Sequence, residues 1–283
     1  MTMAEYLADP CDSPSLSAGV ANIILRQSPL HAKWAHPKLS PNYRQEEDGR
    51  FDIGTAAHSL ILEGDDKVAV CEFNDWRTKA AQEQRDLARQ NGMVPLLSKH
   101  YVAVRAMVDV AREFMATCEL SGPLKGAEPE LTCIAKDGAI WLRARPDLLS
   151  APVRSHLFNY KTTENAAPAA FCRQIERMGY DLDAAFYERV MGNLGHRSEE
   201  FFIAQEITPP YACSLHGLDQ AAREIAQGKV ELAMRIWEKC LQTNRWGTYP
   251  RTVQYAAPSM WEMDQAEERR QSFDDLLELA GQA

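Results

Sequence analysis

Over the first 120 residues apolar side chains recur every three or four positions, which predicts helices; from Glu128 they gather into short runs of strand character. SPSLSAGVANIILRQSPLHAKWAH (13–36) predicts a helix starting near Ser15 or Ser17, where a hydroxyl can cap the first turn. It ends before Ser28-Pro29, because proline restricts the residue before it, and a second short helix follows through His31 and Trp34. The polar stretch 37–50, with Pro37, Pro41 and Gly49, reads as a mobile loop. FDIGTAAHSLILEG then places Ile53, Ala56, Ala57, Leu60 and Ile61 at helical spacing, with Gly64 to close the helix and His58 on it. Residues 77–91 predict a charged surface helix and 97–118 a long amphipathic one.

Beyond Glu128, ELTCIA, AIWLRARPDLLS and SHLFNYKTT predict three consecutive strands, the first two joined by a turn at Lys136-Asp137-Gly138. Residues 166–192 predict one helix, FFIAQEI a strand, 219–243 a long helix, and EERRQSFDDLLELAG a short acidic one. With no repeat or evident linker, the expectation is one domain over 1–283. Within it, 1–120 would be mainly helical, 128–210 a sheet core and 219–283 C-terminal helices.

Composition narrows the chemistry. The chain has 283 residues and a net charge of −9, so nucleic-acid binding cannot be inferred from bulk charge and needs a local basic lining. Its seven cysteines include no CxxC or CxxxC pair, which argues against a zinc site, an iron–sulfur cluster or a redox pair; reduced thiols are expected. No long apolar run predicts a membrane span, and residues 1–12 lack the basic start and apolar core of a signal peptide, so a cytoplasmic location is expected.

The most informative stretch is RARPDLLSAPVRSHLFNYKTT. Side chains two apart on a strand point to one face, so Asn159 and Lys161 should share a pocket with Asp147 if their strands are neighbours. Taken singly, Asp147 fits a turn and Lys161 a solvated strand; as an ordered set they resemble the PD-(D/E)xK nuclease superfamily. GTAAHSLILEG resembles the Gly-x-x-x-His element of its RecB-like branch. Arg145-Pro146-Asp147, Lys161-Thr162-Thr163 and Tyr180…Ala185-Phe186-Tyr187 resemble the RecE, or exonuclease VIII, group of phage recombination nucleases. The similarity runs in consistent order over roughly residues 13–250.

That resemblance implies an α/β fold: a central mixed sheet flanked by helices, as in restriction-endonuclease-like cores, with a helical N-terminal portion. It also implies a metal-dependent phosphodiesterase in which His58, Asp147, the residue at 159 and the backbone carbonyl of Tyr160 hold Mg²⁺ or Mn²⁺. Lys161 would orient water and stabilise the transition state. Glu130 would be the earlier acidic residue, with Glu128 its rival. Two positions depart from the pattern. Asn159 stands where Asp or Glu is expected; its amide ligates weakly and cannot be a base, as in an engineered inactivation or a natural weakened variant. Asp183 stands where the Gln-x-x-x-Tyr helix element has Gln, with Tyr187 retained.

Candidate phosphate contacts are Arg143 and Arg145, two apart on a strand, and Arg173 and Arg177, four apart on a helix. Ser17 is a further candidate through the helix it starts, though a plain cap explains it as well. The other histidines (His31, His36, His100, His156, His196, His216) fall in no ligand pattern and are expected to be structural or exposed. The resemblance implies a Mg²⁺-dependent exonuclease digesting one strand of linear double-stranded DNA from 5′ to 3′ in a bacterial or phage-infected cell. It implies a ring-shaped homo-oligomer and a single-strand annealing protein as partner. A non-cleaving DNA-end-binding or assembly protein and an endonuclease of the same superfamily are the alternatives.

Overall fold

The computed structural model describes residues 1–41, 43, 52–62, 64, 67–150 and 155–281. Most of the loop expected at 37–50 lies outside them. The chain divides into two compact units, Met1–Thr248 and Tyr249–Ala283. The second contains one helix, α11 (Met260–Gly281), which is longer than its sequence pattern predicts.

In the first unit the helices are α1 (Met3–Leu7), α2 (Ala18–Arg26), α3 (Pro29–Trp34), α4 (Asp52–Leu62), α5 (Lys79–Gln90), α6 (Ser98–Thr117), α7 (Ser121–Lys125), α8 (Pro168–Met178), α9 (Tyr180–Asn193) and α10 (Gln220–Thr243). The strands are β1 (Leu16–Ser17), β2 (Val68–Cys71), β3 (Val94–Leu97), β4 (Glu128–Pro129), β5 (Cys133–Asp137), β6 (Ile140–Ala144), β7 (Leu148–Leu149), β8 (Ser155–Thr163), β9 (Ser198–Glu206) and β10 (Cys213–Gly217). Helix starts follow the capping chemistry: the side chains of Ser17, Ser28, Thr78 and Asp219 each accept from the backbone N–H three residues on. The helix expected over 166–192 is two. Gly179 adopts φ +79° between α8 and α9, a conformation that favours glycine and ends a helix. A Cβ there would come within 2.3 Å of Asn22 Oδ1.

The main sheet has the order β10-β9-β8-β7-β4, with β8 and β9 parallel and the other pairs antiparallel. The β5–β6 hairpin leaves it for a three-stranded sheet, β1-β6-β5. The run AIWLRARPDLLS, expected as one strand, is therefore two strands in different sheets, β6 and β7, and Asp147 belongs to neither. It lies at the crossover between β6 and β7, where Pro146 has no N–H to continue a ladder.

Alternation along β8 sends its two faces to different cores. Phe158 and Tyr160 join Ala56, Ala57 and Leu60 of α4 and Val104, Met107 and Val108 of α6. Leu157 faces the other way, toward the small sheet, α2, α9 and α10 around Trp237. On that same face of the sheet, Phe202 and Ala204 of β9 form a separate cluster with Phe171 and Ile175 of α8. Asn159 pairs with Phe202 and Lys161 with Ala204, so both share the second face. The site forms where this sheet, α4 and α8 meet.

Candidate active site

His58 reaches from the second turn of α4 toward the crossover. Its Nε2 is 3.1 Å from Asp147 Oδ1 and 3.7 Å from Glu130 Oε1. One donor atom from each of the three lies within 4.8 Å of the others. Their side chains are only 26, 12 and 14% exposed for His58, Glu130 and Asp147, shielded yet reachable.

Each carboxylate is held by a partner that fixes its direction. Tyr160 N–H donates to Asp147 Oδ2 at 2.7 Å, and Asp147 N–H donates to Asn159 Oδ1 at 3.4 Å. Glu130 sits between β4 and β5 at φ +57°, its N–H donating to the Asp147 carbonyl at 3.0 Å. Arg145 Nε donates to Glu130 Oε2 at 2.6 Å, while its NH1 donates to Thr132 Oγ1 and the Met1 carbonyl. Glu128, the rival acid, is exposed on β4 and outside the cluster.

The charges are mutually adjusted. Burial works to raise the Asp147 pKa, but His58, Lys161 and the Tyr160 N–H hold it below the usual carboxylate range. Burial likewise opposes protonated His58, and the charges of Asp147 and Glu130 overcome it, raising its pKa. Glu130 is pushed up by burial and by Asp147 despite its Arg145 bond. Lys161 stays charged against burial because Asp147, Asp183 and Glu200 surround it; its Nζ lies 5.1 Å from the Tyr180 ring centre. Asp183, on α9, is pushed up to about 6 chiefly by burial, and it accepts from Asn22 Nδ2 at 2.8 Å. Tyr187, one turn further, is half-buried against the core. Tyr160 serves the site through its backbone N–H, while its hydroxyl donates to Gln205.

His58, Glu130 and Asp147 could hold a divalent cation: two hard carboxylates and one imidazole converge, a donor set compatible with Mg²⁺ or Mn²⁺. His58, Glu130, Arg145 and Lys161 border an open cavity of about 1420 Å³.

Several expected DNA contacts are elsewhere. Arg143 is 4% exposed, donates to the Tyr6 carbonyl and lies over the Tyr6 ring; its partner strand and α1 bury it, so it cannot meet phosphate. Arg145 shares the site, but its Nε and NH1 are engaged by Glu130, Thr132 and Met1. Ser17 caps α2 through Val20 N–H. Arg177 is exposed on the cavity rim; Arg173, one turn earlier, is exposed but outside the cavity lining.

Sequence spacing missed Glu200. It is 1% exposed on β9 and accepts from Asn159 Nδ2; burial raises its pKa well above the ordinary value. No local pattern marks it, because its place beside Asn159 depends on the parallel pairing of β8 with β9.

Residues 26–257 match the profile of a family described as a PDDEXK-like domain of unknown function, DUF3799. Among solved structures, a protein from Eubacterium rectale provisionally named an exonuclease matches at 12% identity and a TM-score of 0.59, over 93% of this chain and 97% of that one. That likeness is one of fold. A phage-related exonuclease from Haemophilus somnus matches over 67% of this chain and 95% of its own, at 12% identity and a TM-score of 0.28, too loosely to carry an argument. The comparison with curated proteins gave no match.

Proposed function

The chain belongs to the DUF3799 family of PDDEXK-like domains, and on that premise we propose that it is a divalent-metal-dependent deoxyribonuclease acting from the ends of linear duplex DNA. The observation that carries this reading is the convergence of His58, Glu130 and Asp147 from three separated parts of the chain, beside Lys161 on an open cavity. His58, Glu130 and Asp147 would hold Mg²⁺ or Mn²⁺, with Asn159 Oδ1 as a neutral fourth candidate. The bound cation would supply charge neutralisation and acidify the attacking water.

The chain's own residues do the rest. Tyr160 N–H and Arg145 fix the two carboxylates before any ligand arrives, so little reorganisation is needed. Lys161, kept protonated by its acidic neighbours, places a positive charge where a phosphoryl group gains negative charge. A protonated Lys161 is an electrostatic stabiliser and not a base. Arg177 on the rim can meet a backbone phosphate. From the RecE-like resemblance come finer proposals: 5′-to-3′ polarity, a ring of chains around DNA, and delivery of single strand to an annealing protein.

One specific observation favours a second reading, a non-cleaving protein that binds DNA ends: the amide of Asn159 supplies no charge at the expected acidic position. A 5′-phosphorylated linear duplex and a closed circle of the same sequence, each with Mg²⁺ or Mn²⁺, separate the readings. The exonuclease reading expects the linear form to be digested, the circle to survive, and Asp147→Ala to be inactive. Cleavage of the circle makes it an endonuclease, and end binding without digestion supports the second reading.

A further inference from the structure

Asn159 removes a negative charge from the strand position where an acid is expected, yet it is embedded in a specific pair. It is 3% exposed; Nδ2 donates to Glu200 Oε1 and Oδ1 accepts from Asp147 N–H. The register explains the meeting. Leu157 lies opposite Glu200 and Asn159 opposite Phe202, so Glu200 and Asn159 are diagonal neighbours on one face of two parallel strands.

The NH₂ end of the Asn159 amide faces Glu200, and the Asp147 N–H can donate only to its oxygen, so the two contacts together turn Oδ1 toward Asp147. Glu200 is itself 1% exposed, and its second oxygen has no hydrogen-bond partner among the described residues. A buried carboxylate oxygen left unpaired is costly, which a purely structural pair would not require. An acid at 159 would instead set two carboxyl groups against each other, with no amide N–H to donate between them.

We propose that Glu200 is a positioning residue of the metal site, holding the Asn159 amide with its oxygen turned toward Asp147 and the cation. This rests on the metal-centre reading above.

Calorimetric titration of the full chain with Mn²⁺, alongside thermal melting, tests it. Glu200→Gln should weaken Mn²⁺ binding roughly 10–100-fold, the usual consequence of losing such a partner. Combining Glu200→Gln with Asn159→Asp should restore binding to the parent level or tighter, because the new amide donates to the new carboxylate. A merely structural Glu200 would alter melting without this loss and recovery. The proposal is overturned if Glu200→Gln binds Mn²⁺ as the parent does, or if the double variant binds no tighter than the single. Should Glu200→Gln fail to fold, a folded double variant more than about tenfold weaker than the parent overturns it, and so does unfolding of both. Absence of Mn²⁺ binding by the parent chain overturns the metal reading and this inference together; parent binding with an unaffected Glu200→Gln sinks the inference alone.

Discussion

His58 has two competing partners: the proton that lets it pair with Asp147, and a cation that needs its neutral imidazole. The carboxylates raise its pKa. In the metal-free protein, the His58–Asp147 pair adds stability that is full below the ordinary histidine value and lost as pH rises through the raised one. Cation binding runs the opposite way, because one proton must leave. Mn²⁺ affinity is expected to strengthen about tenfold per pH unit below the His58 pKa and to level off above it. In His58→Gln that pH dependence should disappear together with most of the affinity, as calorimetry across pH would read. At this scale the shared strand face of Asn159 and Lys161 was legible from period-two spacing, whereas Asp147 and His58 were singled out through the resemblance to the PD-(D/E)xK pattern, and the structure places His58 and Asp147 together. Arg143 was not legible, because Tyr6 covers it from more than a hundred residues away.

Among the elements, α4 carries the ligand and β8 the floor, and their separation is set by one residue. A Cβ on Gly54 would stand 2.8 Å from Thr162 Oγ1, inside contact distance, so a larger residue there would force the Thr162 side chain or the helix to shift. In a free helix, alanine would be favoured over glycine by about 1 kcal/mol. Gly54→Ala should therefore change the melting temperature little, as propensity offsets strain, while lifting His58 from Asp147 and weakening Mn²⁺ binding on the order of tenfold. Unchanged Mn²⁺ affinity in that variant would contradict this view of α4. Most helices were readable from apolar period and caps. The division of strands among three sheets, the third a β2–β3 pair, was not: the β1–β6 pairing joins Leu16 to Leu142, and no local pattern reports a partner that distant. The break at Gly179 was hidden because the apolar spacing continues through it; only the tight approach of Asn22 and Arg26 requires glycine there.

For the unit Met1–Thr248 as a whole, one buried polar knot ties the N-terminal segment to the core. Asp9, 2% exposed, accepts from Ser15 N–H at 2.9 Å and Ser15 Oγ at 2.8 Å and pairs with His36 Nε2 at 3.2 Å. Burial raises the Asp9 pKa, but His36 and Ser15 outweigh it and hold it well below the carboxylate range. A depressed folded value means stability present above the ordinary aspartate value and lost as pH falls through the lower, folded one. Asp9→Asn keeps the shape and tolerates the φ of +61°, yet it should destabilise the protein by ~3 kcal/mol at neutral pH. It should also flatten the fall in stability below about pH 4, which denaturant melts at several pH values would show. A parallel acid profile for variant and parent would remove Asp9 from this role. Among the described residues no helix is long and apolar enough to cross a membrane.

All of this turns on one ion held by groups from α4 and the β6–β7 crossover. Anomalous diffraction from crystals soaked in Mn²⁺ tests it most directly. The account predicts a single strong peak within bonding distance of His58 Nε2 and Asp147, with Glu130 beside it. A peak elsewhere, or none in crystals that retain the fold, would contradict it.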